Sequence, residues 1–291
     1  MKRNLAVFIL THGRADNVMS YKTVRKCGWD GPIYLLVDNE DSQIDRYKEL
    51  YGDEVIVFNK TEYAKQVDAC DNYDKRNSIV YARNYNFVVA RELGITHFWQ
   101  LDDDYNEFHW SADNEGNYLT TMKQYKLKHL GDILQAMAQF LDETPVKSIA
   151  MAQGGDFIGG EGSQVHTKYT SGQFSRKAMN SFMFRTDRPV TFRGRVNDDV
   201  NLYVEAGRRG DIFITHPRLR VQQPQTQQES GGCTDIYLAL GTYIKSMYSL
   251  LVAPSCIRIA MMGVSHRRIH HRVLWPYTAP RIINEGYRKQ A

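Results

Sequence analysis

The segment Ile95-Thr96-His97-Phe98-Trp99-Gln100-Leu101 is a short, nearly unbroken apolar run that ends in three consecutive aspartates, Asp102-Asp103-Asp104. A run of this length and composition fits a strand of a sheet covered on both faces. The carboxylates then stand at the C-terminal edge of that sheet, which is where ligands bind in open α/β folds. Side chains alternate along a strand, so Asp102 and Asp104 are expected to point the same way. Together they are candidates to hold one hard cation, Mg²⁺ or Mn²⁺, that prefers oxygen ligands. A solvated acidic turn is the plainer reading of the triplet alone.

The preceding hundred residues repeat the same grammar. Strand-like runs at Leu5–Leu10, Pro32–Asp38 and Glu54–Asn59 alternate with helical segments at Asn17–Lys26, Ile44–Tyr51 and Ser78–Leu93. Short links between such segments predict an α/β fold with a mostly parallel sheet flanked by helices. The second half is less regular. It reads as a helix over Leu130–Glu143, a strand over Ser148–Ala152, a hairpin or strand from Asn180–Arg185 and Val190–Phe192, a helix from Asp198 to Gly207, a strand over Ile212–Thr215 and a helix over Ile236–Leu251. The Gly-rich stretches Gly154–Gly172 and Gln222–Gly232 are expected to be loops that cover a site. We expect residues 1–220 to form the catalytic domain, with 221–291 a flexible loop, helix and basic C-terminal extension packed on it.

Charge and cysteine usage narrow the partners. The four cysteines, 27, 70, 233 and 256, have no zinc-type spacing and read as reduced thiols of a cytoplasmic protein, of the host cytoplasm if the chain is viral. No stretch is long and apolar enough to span a membrane. From Val264 to Ala291 there are six Lys/Arg and three His against Glu285 alone, a local excess that favours an anionic partner. Arg267, Arg268, His271, Arg272 and Trp275 are the candidates there: cations hold phosphate and an aromatic stacks on a base.

At the end of the first strand, Thr11-His12-Gly13-Arg14 offers a tight turn and a guanidinium for a nucleotide. Asp38 ends the second strand and is a candidate to bind a base or ribose. Neither a P-loop nor a dinucleotide fingerprint is present. Arg83, in a helix expected to pack on the sheet, needs an acidic partner if buried, and the aspartate triplet is nearest in sequence. Asp198 and Asp199 stand where a helix begins, as cap and as candidate general base. His216 is a candidate third metal ligand.

In this order, these motifs resemble the GT-A nucleotide-sugar glycosyltransferases. Thr11–Arg14 is similar to the family's opening nucleotide edge, Ala82-Arg83-Asn84 to the helix before its metal strand, Asp102-Asp103-Asp104 to its D-x-D motif, and Asn197-Asp198-Asp199 to its later acidic motif. More narrowly, Leu101–Tyr105 with Phe108, the Tyr243–Pro254 segment and the basic tail resemble phage-type glycosyltransferases associated with TET-like oxygenases. The resemblance implies a GT-A-like (Rossmann-like) fold and Mn²⁺ or Mg²⁺ at Asp102 and Asp104. It also implies a nucleotide-diphosphate sugar, by expectation UDP-linked, bound by Thr11, His12, Gly13, Arg14, Asp38, Arg83 and Asp103. The implied acceptor is a 5-hydroxymethylpyrimidine in DNA, such as 5-hydroxymethylcytosine, with Asp198 or Asp199 as base. A glycan or protein acceptor, a metal-dependent nuclease and a non-enzymatic DNA-binding protein remain open at this stage.

Overall fold

The computed structural model describes residues 3–111, 113–115, 119, 125–153, 181–223, 241, 243–262, 268–278 and 282–288. In chain order the main elements are β1 (Leu5–Leu10), α1 (Met19–Lys26), β2 (Ile33–Asp38), α2 (Ile44–Tyr51), β3 (Val55–Phe58), α3 (Lys60–Tyr63), α4 (Val80–Glu92), β4 (His97–Asp102), β5 (Glu107–Trp110), α5 (Leu130–Glu143), β6 (Val146–Gln153), β7 (Phe182–Arg185), α6 (Asp198–Arg208), β8 (Ile212–Gln222), α7 (Ile244–Val252), β9 (Ile257–Met262) and β10 (Arg268–Val273). Eight strands form one sheet in the order β3-β2-β1-β4-β7-β6-β8-β5, and β9 and β10 form a separate hairpin. Pairing is parallel among β3, β2, β1 and β4 and between β6 and β8, while β7 and β5 run antiparallel to their neighbours. The expected mostly parallel α/β sheet is therefore what forms.

Strand alternation sorts the core into two layers. Leu5, Val7, Ile9, Trp99 and Leu101 pack with residues of α1, α2 and α5 on one face. Ala6, Phe8, Leu10 and Phe98 pack with α4, Phe182, Phe184 and Phe192 on the other. The second layer is an aromatic cluster with ring centroids 4.9 to 5.7 Å apart among Phe87, Phe98 and Phe184. Through Phe87 it packs α4 onto β4 and β7.

Two expectations need correction. Val190–Phe192 forms no strand: the Phe192 N–H donates instead to Asn84 Oδ1 on α4, 2.8 Å away. The strand expected over Ile212–Thr215 runs on to Gln222, because β8 absorbs Pro217 in a register shift between Met151↔His216 and Ala152↔Arg220. Proline removes a ladder donor, and an irregularity of this kind is where a strand tolerates it. The two glycine-rich stretches expected to cover a site lie, over 154–172 and 224–232, outside the described residues, as do 236–240 of the expected late helix. No helix among the described residues is long and apolar enough to cross a membrane.

The C-terminal elements lie along α6. At its start, Asn197 contacts α7 and β10; at its end, Gly207 closes on the Thr278 carbonyl, 2.3 Å from where a Cβ would stand. Only glycine allows that approach. Gly207→Ala is expected to push the Thr278 turn off α6 at a cost of about 1–3 kcal/mol, as overpacking does. Thermal melts and limited proteolysis check this: the variant should be cut early in the C-terminal segment, and wild-type resistance would show that the segment is not seated there.

Candidate active site

β1 and β4 are the pair at which the chain order reverses: β2 and β3 follow on one side of β1, and β4 lies on the other. The crevice beyond their C-terminal ends is the switch point where α/β sheets bind ligands. The β1–β4 register sets Leu10 opposite Asp102, so Thr11 and Asp103 continue the two strands side by side. Odd-numbered positions on both strands face α1 and α2, and even-numbered positions face α4. This parity distributes the polar groups at the crevice.

On the α2 side, Thr11 Oγ1 donates to Asp103 Oδ2 at 2.8 Å and accepts from the Tyr47 hydroxyl at 2.8 Å. Tyr47 in turn accepts from the Arg14 N–H, which fixes the direction of the chain of bonds. The Arg14 guanidinium meets the second Asp103 oxygen at 2.8 Å. Ser20, fully buried on α1, holds the turn from beneath: its Oγ donates to the Asp102 carbonyl at 2.5 Å and accepts from the Tyr105 N–H at 2.9 Å.

On the α4 side, Arg83 is buried and bridges two acidic segments. Its Nη2 donates to Asp102 Oδ1 at 2.9 Å, and its Nε lies 2.7 Å from Asp198 Oδ2, a close ion pair without good hydrogen-bond alignment. The guanidinium also lies over the rings of Phe182 and Phe192, at 6.0 and 5.7 Å. Burial works against its charge, but Asp102 and Asp198 overcome this and hold Arg83 protonated. The acidic partner expected for Arg83 is thus the triplet, joined by Asp198.

Asp104 is different. Its Oδ1 is buried without a hydrogen-bond partner among the described residues. Burial first, then the charges of Asp102 and Asp103, push its carboxyl up to about 7. Asp102 rises to about 6 for the same first reason, partly offset by Arg83. Burial likewise raises Asp198. Among the described residues Asp104 makes no ion pair, whereas the other buried carboxylate oxygen here without a hydrogen bond, Asp198 Oδ2, lies against Arg83. A hard divalent cation fits that donor set.

A second cluster stands at the end of β2. Asp38 Oδ1 accepts from the buried Lys60 Nζ at 2.7 Å, and Oδ2 meets His12 Nδ1 at 2.8 Å. Burial pushes Asp38 up, but His12 and Lys60 outweigh it and hold it below its ordinary value. The same hydrogen bond to Asp38 raises His12. Gly13, at φ +69, donates its N–H to Asp41 Oδ2 at 2.7 Å.

The structure thus brings Thr11, His12, Gly13, Arg14, Asp38, Arg83, Asp102, Asp103, Asp104, Asp198 and Asp199 to one end of the sheet. Asp199 is half-buried and makes no hydrogen bond or ion pair among the described residues. His216 is not brought there. Two strands, β7 and β6, lie between β4 and β8, a separation of about 14 Å at the usual strand spacing. His216 accepts from the Arg218 N–H, and no group of three metal-ligating residues gathers among the described residues. Asp102 and Asp104 also do not act as a symmetric pair, because the strand stops at Asp102 and Arg83 takes that carboxylate. In the tail, His271 faces Asn197 at 3.3 Å and Arg272 is exposed, whereas Arg267 and the side chains of Arg268 and Trp275 lie outside what is described. Ser20, Tyr47, Lys60 and Asp41 carried no local signal in the sequence, since each acts on a residue far along the chain.

Two outcomes are expected. Arg83→Met leaves Asp102 and Asp198 buried without a cation, which costs about 3–5 kcal/mol in urea unfolding at pH 8; a loss under about 1 kcal/mol would show that the bridge carries no stability. The raised carboxyls give the metal-free protein a signed pH dependence. Asp102, Asp104 and Asp198 keep their protons in the folded state where the unfolded chain has lost them, so stability should fall as pH rises from about 4 through 7. Melts between pH 5 and 8 check this, and saturating Mn²⁺ should flatten the slope. A melting point that climbs across this range without metal would contradict the assignment.

The model of the TET-associated glycosyltransferase family matches residues 5–232. A search of the curated proteins gives no match. Among solved structures, the chain is similar to glucosyl-3-phosphoglycerate synthase from Mycobacterium tuberculosis in complex with Mn²⁺, UDP and phosphoglyceric acid, at 9% identity and TM-score 0.48, covering 94% of this chain and 87% of that one. It is also similar to a mannosyltransferase from Pyrobaculum calidifontis in complex with GDP-Man and Mn²⁺, at 12% identity and TM-score 0.46, covering 88% and 75%. A third is mannosyl-3-phosphoglycerate synthase from Rubrobacter xylanophilus, at 11% identity and TM-score 0.45, covering 93% and 87%. These are distant likenesses.

Proposed function

Because this chain belongs to the TET-associated glycosyltransferase family, we propose that it moves a sugar from a nucleotide-diphosphate sugar to the hydroxyl of a 5-hydroxymethylpyrimidine in DNA. The observation that carries the reading is Asp104: a buried carboxylate with an unpartnered oxygen among the described residues, at the switch-point crevice and near Asp102, which Arg83 joins to the acidic segment on α6.

Asp104, assisted by Asp102, would hold Mn²⁺ or Mg²⁺, which when bound neutralises the charge gathering on the departing diphosphate. Asp103 is committed to Thr11 and Arg14, so it fixes the β1 turn and does not compete for the cation. His12 replaces Asp38 as the group that meets the nucleoside. Both Asp38 oxygens are taken, whereas the His12 side chain is about half exposed at 52%. Asp198 is spent on Arg83, which leaves Asp199 as the base. In an inverting transfer, Asp199 accepts the acceptor hydroxyl proton while that oxygen bonds to the anomeric carbon and the bond to the diphosphate oxygen breaks.

The DNA acceptor is supported by the family and by the hairpin. Arg258 and Arg272 are exposed and directly opposite across β9 and β10. Like charges in that position are destabilising unless a polyanion lies over them. The exposed Tyr277 follows in chain order and offers a stacking face.

The test is nucleotide release from UDP- and GDP-sugars with Mn²⁺, with and without DNA containing 5-hydroxymethylcytosine, read with the mass of the digested nucleosides. Metal-dependent release with a sugar-sized mass gain on the modified base is expected, and Asp104→Asn should lower it by about 100-fold or more. Sugar appearing only on glycan or protein acceptors would overturn the DNA reading, and cleaved DNA without sugar would overturn the transfer itself.

A further inference from the structure

Asn197 stands immediately before Asp198 and Asp199, and it behaves unlike an ordinary residue at the head of a helix. Its backbone is left-handed, at φ 56° and ψ 28°, a conformation that glycine adopts freely and asparagine and aspartate tolerate better than other side chains. Asparagine at this position normally turns its side chain back to cap its own helix. Here it makes no such bond. The side-chain amide reaches outward instead: Nδ2 donates to the Lys245 carbonyl at 2.7 Å and to Ser249 Oγ at 3.1 Å on α7, and lies 3.3 Å from His271 Nδ1 on β10. Ser249 is buried at 1% exposure.

The residues just before Asn197 are tied down independently. Arg195, at 1% exposure, makes two hydrogen bonds to Asp71, at 2.8 Å each, and donates to the Tyr73 carbonyl at 2.8 Å. The Gly194 and Arg195 N–H groups donate to the Asp68 and Ala69 carbonyls. Tyr248, on α7, donates its hydroxyl to Asp71 as well. The entry to α6 is therefore fixed from two sides, by the 68–75 segment and by α7. Asn197 is the last fixed point before the acidic pair.

Asp198 has its own anchor in Arg83, but Asp199 makes no hydrogen bond or ion pair among the described residues. With no such bond to hold the carboxylate, its direction follows the backbone at 197–199 more closely than that of Asp198 does. We propose that Asn197 is a positioning residue: by hooking the C-terminal helix α7, it fixes the first turn of α6 and aims the Asp199 carboxylate at the acceptor. This makes the C-terminal extension a structural part of acceptor-side chemistry, and it rests on Asp199 being the acceptor-side base.

The experiment compares wild type with Asn197→Gly and Asn197→Asp under saturating Mn²⁺. Glycine keeps the left-handed backbone and deletes the hook. Aspartate tolerates the same backbone and fills the same space, but cannot donate to the Lys245 carbonyl. Both variants should therefore lose about 10- to 100-fold in kcat for transfer, the size expected of a misplaced group. Donor KM should stay within about twofold, because the donor-side residues are untouched. Amide exchange at 198–202 should quicken by about tenfold in both, which reports the loosened turn directly. Wild-type kcat and exchange in Asn197→Gly would overturn the proposal, and so would a donor KM that rises in step with the loss in kcat, the mark of general destabilisation. Asp199→Asn, measured in parallel, tests the reading beneath: full activity there would remove the base, while exchange in the Asn197 variants would decide by itself whether the hook holds α6.

Discussion

The site depends on one buried guanidinium. Arg83 comes from α4, and it joins the end of β4 to the start of α6, elements that are far apart in the chain and carry opposite duties in the proposed reaction. A charge at 2% exposure is tolerable only when it is paired and surrounded by groups that favour it. Asp102 and Asp198 supply the pairing, and the faces of Phe182 and Phe192 supply the rest. The consequence is a division of labour among five carboxylates. Asp198 and one oxygen of Asp102 face Arg83, Asp103 is spent on Thr11 and Arg14, and in the proposed reaction Asp104, with the second Asp102 oxygen, and Asp199 meet the ligands.

That division was only partly legible in the sequence. The strands β1, β2 and β4 were readable because each is a nearly continuous apolar run, and the bounds of α2 and α5 were readable from their length and apolar periodicity, whereas β5, with the polar Glu107 and His109 among four residues, carried no such signal. The triplet announced the crevice, and Arg83 announced that it needed an acid. What local pattern could not show is which carboxylate each cation takes, because that follows from strand order and register. Once β1 lies beside β4 with Leu10 opposite Asp102, parity turns Asp102 toward α4 and Arg83, and Thr11 and Asp103, each one residue past its strand, come side by side. The same reasoning separates the surroundings of Asp102, which meets Arg83, from those of Asp104, whose Oδ1 has no hydrogen-bond partner among the described residues. Alternation applies only while the strand lasts, and it ends at Asp102.

His216 fails as a partner of the aspartates for a related reason. Its residue type fits a metal site, but the strand order inserts β7 and β6 between β4 and β8. Lys60, Tyr47 and Ser20 show the converse. None stands out in sequence, yet each is buried or half-buried against a crevice residue and decides what that residue can still do. Asp38 is the clearest case: it ends β2 where a ribose would meet it, and each of its oxygens already accepts from a neighbour, Lys60 on one and His12 on the other. The C-terminal segment reads as a basic tail, yet in the fold α7 and β10 also brace α6 through Asn197.

The most direct measurement of the central claim is the position of the cation. Crystals grown with Mn²⁺ and a nucleoside diphosphate, with data collected at the manganese absorption edge, would locate it by anomalous scattering. The account predicts one strong peak in the crevice beyond β1 and β4, against the Asp104 carboxylate, with Arg83 still bridging Asp102 and Asp198. A peak elsewhere on the chain, or none at saturating Mn²⁺, would contradict it.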